Sequence, residues 1–313
     1  GKSKKSLFAA VRLEGACFRA RLPRRQETAK EEEYRFCRLL YELLRKATGR
    51  RPPWGMLTGV RPVKLPTRAM AAGASPEEAQ RELETEYRVS PDRARLAVDC
   101  ARASLAARDS LRPDEVSLYV GIPFCPTRCA YCSFVSQDVE HAKKLVAPYF
   151  DLLLVELEKT AQVAEGLGLS LRSVYIGGGT PTTLTAEQLA ALCGKIKGVF
   201  DFSHCGEFTV EAGRPDTITR EKLEALKEQG VGRISINPQT LNDHVLETIG
   251  RRHTAAQTLE AFSLARACGY DDINMDLIVG LPEDTMESFQ ETMQGVLALH
   301  PESITVHTLS FKR

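Results

Sequence analysis

The sequence predicts an α/β fold, a partial (β/α)6 barrel over residues 113–313 behind a small basic α+β N-terminal module over residues 1–112. Three observations predict it. From residue 116 onward, six short β-rich runs alternate with longer amphipathic stretches, the pattern of parallel strands joined by crossover helices. A cysteine cluster follows the first run and a glycine run follows the second, at the strand ends where barrels build their sites. Charge is divided along the chain. Residues 1–70 carry 18 Lys and Arg against 6 Glu and no Asp, a net of +12, whereas the whole chain is +1.

In chain order, residues 7–12 and 16–22 read as the strands of a hairpin turning at Glu14-Gly15. Thr28, the acidic run Glu31–Glu33, and then Tyr34, Cys37, Leu40, Tyr41 and Leu44 at helical spacing predict a helix that Gly49 stops. Arg51-Pro-Pro-Trp-Gly55 breaks the chain. Ser75-Pro76 and Ser90-Pro91 each open another helix with proline at its first position, the second running to about Asp109. Arg112-Pro113 marks the boundary. Beyond it, strands are expected over 116–121, 172–177, 206–211, 231–236, 273–279 and 303–309. Helices are expected over 141–166, 185–198, 219–229, 254–268 and 285–299.

Composition narrows the class. The 313 residues are 43% hydrophobic and 27% charged, as in ordinary globular proteins. No apolar run approaches the roughly 20 residues of a membrane span, so no membrane partner is expected. Gly1-Lys-Ser-Lys-Lys lacks the apolar core of a secretory signal. Nine cysteines without an even framework point to a reducing compartment, hence the cytoplasm. Cys17, Cys37, Cys100, Cys193, Cys205 and Cys268 are scattered and read as free thiols. The basic module could meet nucleic acid or a polycarboxylate. Its few aromatics are not arranged for base stacking, so nucleic acid is not the expected partner.

Cys125, Cys129 and Cys132 carry the strongest chemical signal. Thiolates spaced by three and then two residues can ligate three irons of one 4Fe-4S cubane and leave the fourth open. An open iron can chelate the amino and carboxylate groups of S-adenosylmethionine. An electron from the cluster then cleaves the sulfonium to methionine and a 5′-deoxyadenosyl radical. Zinc is the alternative, but it normally takes four protein ligands, and His141 is nine residues past Cys132. Gly177-Gly178-Gly179-Thr180 after a strand lets a ligand approach the backbone and leaves amides free to bond it. A Walker loop would need Gly-Lys-Ser/Thr, which is absent. Glu211, Gln239, Arg251 and Asp276 lie at later strand ends, offering acceptors for ribose hydroxyls and a fork for a carboxylate.

The cluster motif with a glycine loop at the next strand end resembles the radical S-adenosylmethionine (radical SAM) superfamily. Within it, Tyr119-Val-Gly-Ile-Pro-Phe-Cys125, Gly177-Gly-Gly-Thr-Pro-Thr182, Glu211, Gln239, Arg251 and Asp276-Leu-Ile-Val-Gly-Leu-Pro282 resemble the oxygen-independent coproporphyrinogen III oxidase group. Leu57-Thr-Gly-Val-Arg61-Pro-Val-Lys64 and Ile234-Ser-Ile-Asn-Pro-Gln239-Thr resemble its HemZ-like, coproporphyrinogen dehydrogenase branch. The resemblance implies a radical-SAM barrel. It implies that Tyr119, Gly178 and Glu211 contact the S-adenosylmethionine on the cluster, Tyr119 and Glu211 with catalytic roles. Gly179, Thr180, Gln239, Arg251 and Asp276 would line the rest of the cavity, where the group's best-known member holds a second S-adenosylmethionine. Ser310 would line it too.

The implied reaction is oxidative decarboxylation of coproporphyrinogen III propionates to vinyl groups in heme biosynthesis, with an electron donor for the cluster. Arg214, Arg251 and Arg252 are expected to make the cavity electropositive for this anionic tetrapyrrole. Two departures stand out. Decarboxylating members have a cysteine where this chain has Phe134 and a histidine where it has Gly121. Phe at the first place is shared with the heme-chaperone branch. A heme carrier is therefore an alternative, its axial ligand expected from the C-terminal part of relatives or from a histidine such as His253 or His307. A radical enzyme modifying RNA is a third reading and rests only on the basic N-terminus. Relatives continue into a C-terminal domain, so a chain ending at Arg313 is expected to be a fragment.

Overall fold

The hairpin, the first strand pair of the chain, follows from its turn residues. Glu14 and Gly15 both adopt positive φ, 49° and 83°, the twist that matches antiparallel strands. They join Ser6–Leu13 (β1) to Ala16–Pro23 (β2). The computed structural model describes residues 6–58 and 61–309. The chain divides into two units, Gly1–Leu111 and Arg112–Arg313.

In the first unit, helix Ala29–Thr48 (α1) starts at a capping box between Thr28 and Glu31 and ends at Gly49 with φ 68°. Its Leu39 and Leu43 bury against Leu7 and Ala9 of the hairpin. Lys64–Ala71 (α2), Pro76–Thr85 (α3) and Pro91–Asp109 (α4) enclose a second small core around Leu83, Val89 and Val98. The sequence did not announce α2. It is eight residues long, contains Pro66 and has no side-chain cap.

In the second unit, six parallel strands among the described residues form one sheet. They are Glu115–Ile122 (β3), Ser170–Gly178 (β6), Glu207–Gly213 (β7), Arg233–Gln239 (β8), Asp272–Val279 (β9) and Ser303–Thr308 (β10), in that spatial order. Two short strands, Phe124–Cys125 (β4) and Gln137–Asp138 (β5), pair beside it. Val139–Gly166 (α5), Ala186–Val199 (α6), Arg220–Glu228 (α7), Ala255–Ala267 (α9) and Met286–Ala298 (α10) are the crossover helices. A short helix, Asp243–Thr248 (α8), sits in the β8–α9 connection and was not expected from the sequence. Strand β8 also runs past its expected end. Pro238 cannot donate to the ladder, and the register shifts between Ile236 and Gln239. None of the described helices is long and apolar enough to cross a membrane.

The alternation of side chains along these strands positions the site. On β6–β9 one set is apolar and buried: Val174 and Ile176, Val210 and Ala212, Ile234 and Ile236, Met275 and Leu277. It packs with Leu189, Leu192 and Ile196 of α6, Leu223 and Leu226 of α7, and Phe262 of α9 in one core. The other set contains Tyr175, Glu211, Ser235, Asn237 and Asp276 and lines a cavity. A period of two therefore separates the core from the site residue by residue.

Leu192→Ala should lower the unfolding free energy by roughly 2–5 kcal/mol, because Leu192 is fully buried. Leu152→Ala, at a residue 69% exposed, should change it by less than about 0.5 kcal/mol. Urea titrations of both variants check the layer assignment.

Candidate functional site

The cysteine loop is shaped by its own backbone. The β4–β5 pair closes it, and Gln137 N donates to Pro123 O at 2.8 Å. Inside it, Cys132 N donates to Cys129 O at 3.1 Å. Ala130 N donates to Ile249 O at 3.0 Å, and Thr127 Oγ1 to Gly250 O at 2.8 Å, fastening the loop to the end of α8. Cys125, Cys129 and Cys132 are free, half-buried thiols on the wall of one cavity of about 610 Å³. Among the described residues no three His, Cys, Asp or Glu side chains are grouped to hold a single metal ion.

The glycine loop lies directly on the cysteine strand. Gly179 N donates to Ile122 O at 2.8 Å, and Thr180 N to Phe124 O at 2.7 Å. A Cβ on Gly179 would sit 2.6 Å from Phe124 O and 3.0 Å from Cys125 Sγ. Gly178 has φ +103°, and a Cβ there would lie 3.1 Å from Ile122 N. The first demand for glycine thus comes from the protein's own backbone, before any ligand is considered.

Polar side chains continue the wall across the strand ends. Tyr175 Oη donates to Glu211 Oε1 at 2.6 Å. Loss of water raises the Glu211 carboxyl above its ordinary 4.5, and the charge of Asp276 adds to this against the Tyr175 hydrogen bond. A cationic ligand would relieve both effects. Asn274 Nδ2 donates to Asp276 Oδ1 at 2.7 Å and to Ser235 Oγ at 2.8 Å. Gln239 ends β8 with φ 69°, outside the usual region for a residue with a Cβ. Among the described residues its buried Oε1 has no partner, and neither has the buried Nε of Arg251, whose Nη1 donates to Asn237 O at 2.5 Å. Leaving such groups unpaired costs about 1–3 kcal/mol each, which a polar ligand would recover.

The structure brings together on this wall ten of the eleven residues read from the sequence as cofactor or metal contacts: the three cysteines, Gly178, Gly179, Thr180, Glu211, Gln239, Arg251 and Asp276. Tyr119 is not among them. It is 59% exposed and stacks on Tyr175, with ring centroids 6.0 Å apart and planes 10° from parallel. Tyr175 itself was not singled out from the sequence as a site residue. Strand alternation two residues before Gly177 was the signal that could have found it. Ser310 lies outside the described residues.

Of the three arginines expected to make the cavity electropositive, Arg214 and Arg251 line it and Arg252 does not. Arg252 is exposed, pairs with Glu140 at 3.2 Å and is not part of the cavity wall. Arg214 does reach the wall but is 2% exposed and engaged with Thr127, Cys129 and Asp216, on the cysteine side. Arg233, at the start of β8, is paired with Asp272 at 3.4 Å and Glu207 at 3.7 Å. His253 is buried away from the cavity wall. Burial, helped by the charge of Arg251, pushes it down to about 4, so its ring is neutral at pH 7. His307 and the exposed Phe134 both line the cavity.

Comparison with known proteins decides the family. The radical SAM superfamily matches residues 119–296. The chain belongs to the radical SAM superfamily. That family implies a 4Fe-4S cluster and S-adenosylmethionine, and the three thiols with the Gln239 and Arg251 atoms unpaired among the described residues fit them. The oxygen-independent coproporphyrinogen-III oxidase-like protein HemZ of Bacillus subtilis is 42% identical over 274 residues, 87% of this chain and 55% of that protein. The heme chaperone HemW of the same organism is 38% identical over 194 residues, 62% of this chain and 50% of that protein. The structure of Escherichia coli coproporphyrinogen III oxidase HemN, a radical SAM enzyme, superposes with a TM-score of 0.56 at 30% identity, covering 67% of this chain and 47% of that one. The chain spans about half the length of the curated relatives it matches.

Gly179→Ala should cost roughly 1–3 kcal/mol of stability through overpacking against Phe124 O. Gly198→Ala in α6, where a Cβ would meet nothing within 4 Å, should instead add about 0.4–1 kcal/mol. Thermal or urea unfolding of the two variants, in opposite directions, checks the backbone contact.

Proposed function

We propose that this chain is the radical-generating part of an oxidoreductase acting on a carboxylated tetrapyrrole. The observation that carries the reading is the shared wall of three thiols, the glycine loop and the Tyr175–Glu211 pair. Cys125, Cys129 and Cys132 would hold the cluster. When bound, the cluster and S-adenosylmethionine supply a 5′-deoxyadenosyl radical that abstracts hydrogen. Glu211 provides countercharge for a sulfonium and an ammonium group, and Tyr175 fixes the orientation of its carboxylate. Gln239 Oε1 accepts from a ligand hydroxyl, and Arg251 Nε donates to a ligand oxygen. Asp276, held through Oδ1 by Asn274, offers its other oxygen to a ribose hydroxyl. Tyr119 flanks the rim through its stack on Tyr175.

The tetrapyrrole is supported by the names of the relatives, which are coproporphyrinogen oxidases and heme chaperones. For the oxidase reading, a propionate would lose one hydrogen atom from its β-carbon, release carbon dioxide and pass one electron to an acceptor, leaving a vinyl group. A heme carrier is the second reading, and a specific observation favours it. His307 and Phe134 line the cavity, while Arg214 and Arg233, which also line it, are already ion-paired. Incubation of reconstituted protein with coproporphyrinogen, S-adenosylmethionine and a low-potential reductant separates the two. Vinyl product supports the oxidase. Saturable heme binding without vinyl product, lost in His307→Ala, supports the carrier.

Glu211→Gln should weaken S-adenosylmethionine binding roughly tenfold to a hundredfold, the loss of about 1.5–3 kcal/mol from one charged hydrogen bond. Because the Glu211 carboxyl is raised in the free protein, a cation that favours its ionised form releases a proton on binding. Wild-type affinity should therefore fall as pH drops through that raised value, and the Gln variant should lack this dependence. Calorimetric titration across pH checks both, and equal affinities for the two proteins would contradict the role of Glu211.

A further inference from the structure

Immediately after β7, Gly213 takes φ +60° and Arg214 N donates back to Ala212 O at 2.7 Å. This tight turn drives the Arg214 side chain under the cysteine loop. There it is 2% exposed and every nitrogen has a partner. Nη2 donates to Thr127 Oγ1 at 2.8 Å, and Nη1 approaches Thr127 O at 3.5 Å. Nη1 also donates to Cys129 Sγ at 3.4 Å. On the other side Nε meets Asp216 Oδ1 at 3.3 Å. Thr127 passes the contact on, since its hydroxyl donates to Gly250 O. Taking a guanidinium out of water is costly, and these fixed partners offset that cost while holding the positive charge against the Cys129 sulfur.

We propose that Arg214 is a positioning residue that orients Cys129 and raises the reduction potential of the cluster bound there, with Asp216 moderating its charge. This rests on the reading that Cys129 is a cluster ligand. A cubane on three thiolates gains one negative charge when reduced. A hydrogen bond to a ligand sulfur and a nearby positive charge both stabilise that more negative state. Asp216 opposes the effect, because its carboxylate neutralises part of the guanidinium charge at 3.3 Å. The pair therefore sets the potential in opposite directions. A scaffold that merely held the loop would not behave in that way.

The test is a redox titration of anaerobically reconstituted protein, followed by electron paramagnetic resonance and without S-adenosylmethionine, so that turnover is not the readout. Iron and sulfide are counted in every preparation. At a fixed ambient potential, Arg214→Met should lower the reduced-to-oxidised ratio about tenfold, which for one electron is about 59 mV toward the negative. Asp216→Asn should move the ratio the other way. Arg214→Lys, which keeps charge but loses the fork, should fall between wild type and the Met variant. Where Arg214→Met does not retain iron, the Lys and Asn variants carry the test with the same expected signs. An unchanged potential in the loaded variants, or shifts of one sign from both positions, overturns the proposal and leaves the cluster reading standing. Wild-type protein that takes up no iron and sulfide refutes the cluster reading itself, and the Arg214 proposal with it.

Discussion

The glycine loop at the end of β6 rests on the backbone of the cysteine strand through two hydrogen bonds, Gly179 N to Ile122 O and Thr180 N to Phe124 O. The site depends on this contact. It leaves no room for a Cβ at Gly179, it uses the amides of Gly179 and Thr180 that the sequence suggested would be free for a ligand, and it holds Cys125 beside the glycine loop. The parallel register of β3 on β6 continues it, placing Tyr119 opposite Tyr175 and Gly121 opposite Gly177. Cys125 also receives the Thr180 hydroxyl, Oγ1 to Sγ at 3.6 Å. Cys129, in the middle of the loop, receives Arg214.

Around that contact the sheet arranges polar groups at a cost to stability. Glu211 and Asp276 share one wall of a partial barrel, and among the described residues buried atoms of Gln239 and Arg251 stay unpaired. Gln239 also holds a positive φ. Such concentrations of strain and unsatisfied polarity persist when the surrounding core over-determines them, and they recur where ligands bind. Here the over-determination comes from the opposite face of the same strands, where Ile234, Ile236, Met275 and Leu277 are fully buried.

Much of this was legible in the sequence, and the reasons are local. Period-two strands and capped helices announce themselves, so the six strands and five crossover helices fall where their patterns place them, within a few residues. Fixed spacing made the cysteine trio and the glycine run readable. Side-chain direction outside regular structure was not readable. Arg251 and Arg252 are adjacent in a coil segment, yet one is buried in the cavity wall and the other pairs with Glu140 at the surface. Arg214 was expected to greet a substrate carboxylate, but a turn governed by Gly213 sends it to Cys129. Helices α2 and α8 were missed because each is only one to two turns long and gives no periodic signal.

The central claim is that Cys125, Cys129 and Cys132 together hold one cubane with an iron open to S-adenosylmethionine. The most direct measurement is electron paramagnetic resonance of the anaerobically reconstituted, reduced protein before and after S-adenosylmethionine is added, with iron and sulfide determined on the same sample. The account predicts about four irons and four sulfides per chain, a reduced-cluster signal that S-adenosylmethionine perturbs, and loss of both in Cys125→Ala. A Cys125→Ala protein that keeps wild-type iron and sulfide, or a wild-type signal indifferent to S-adenosylmethionine, would contradict it.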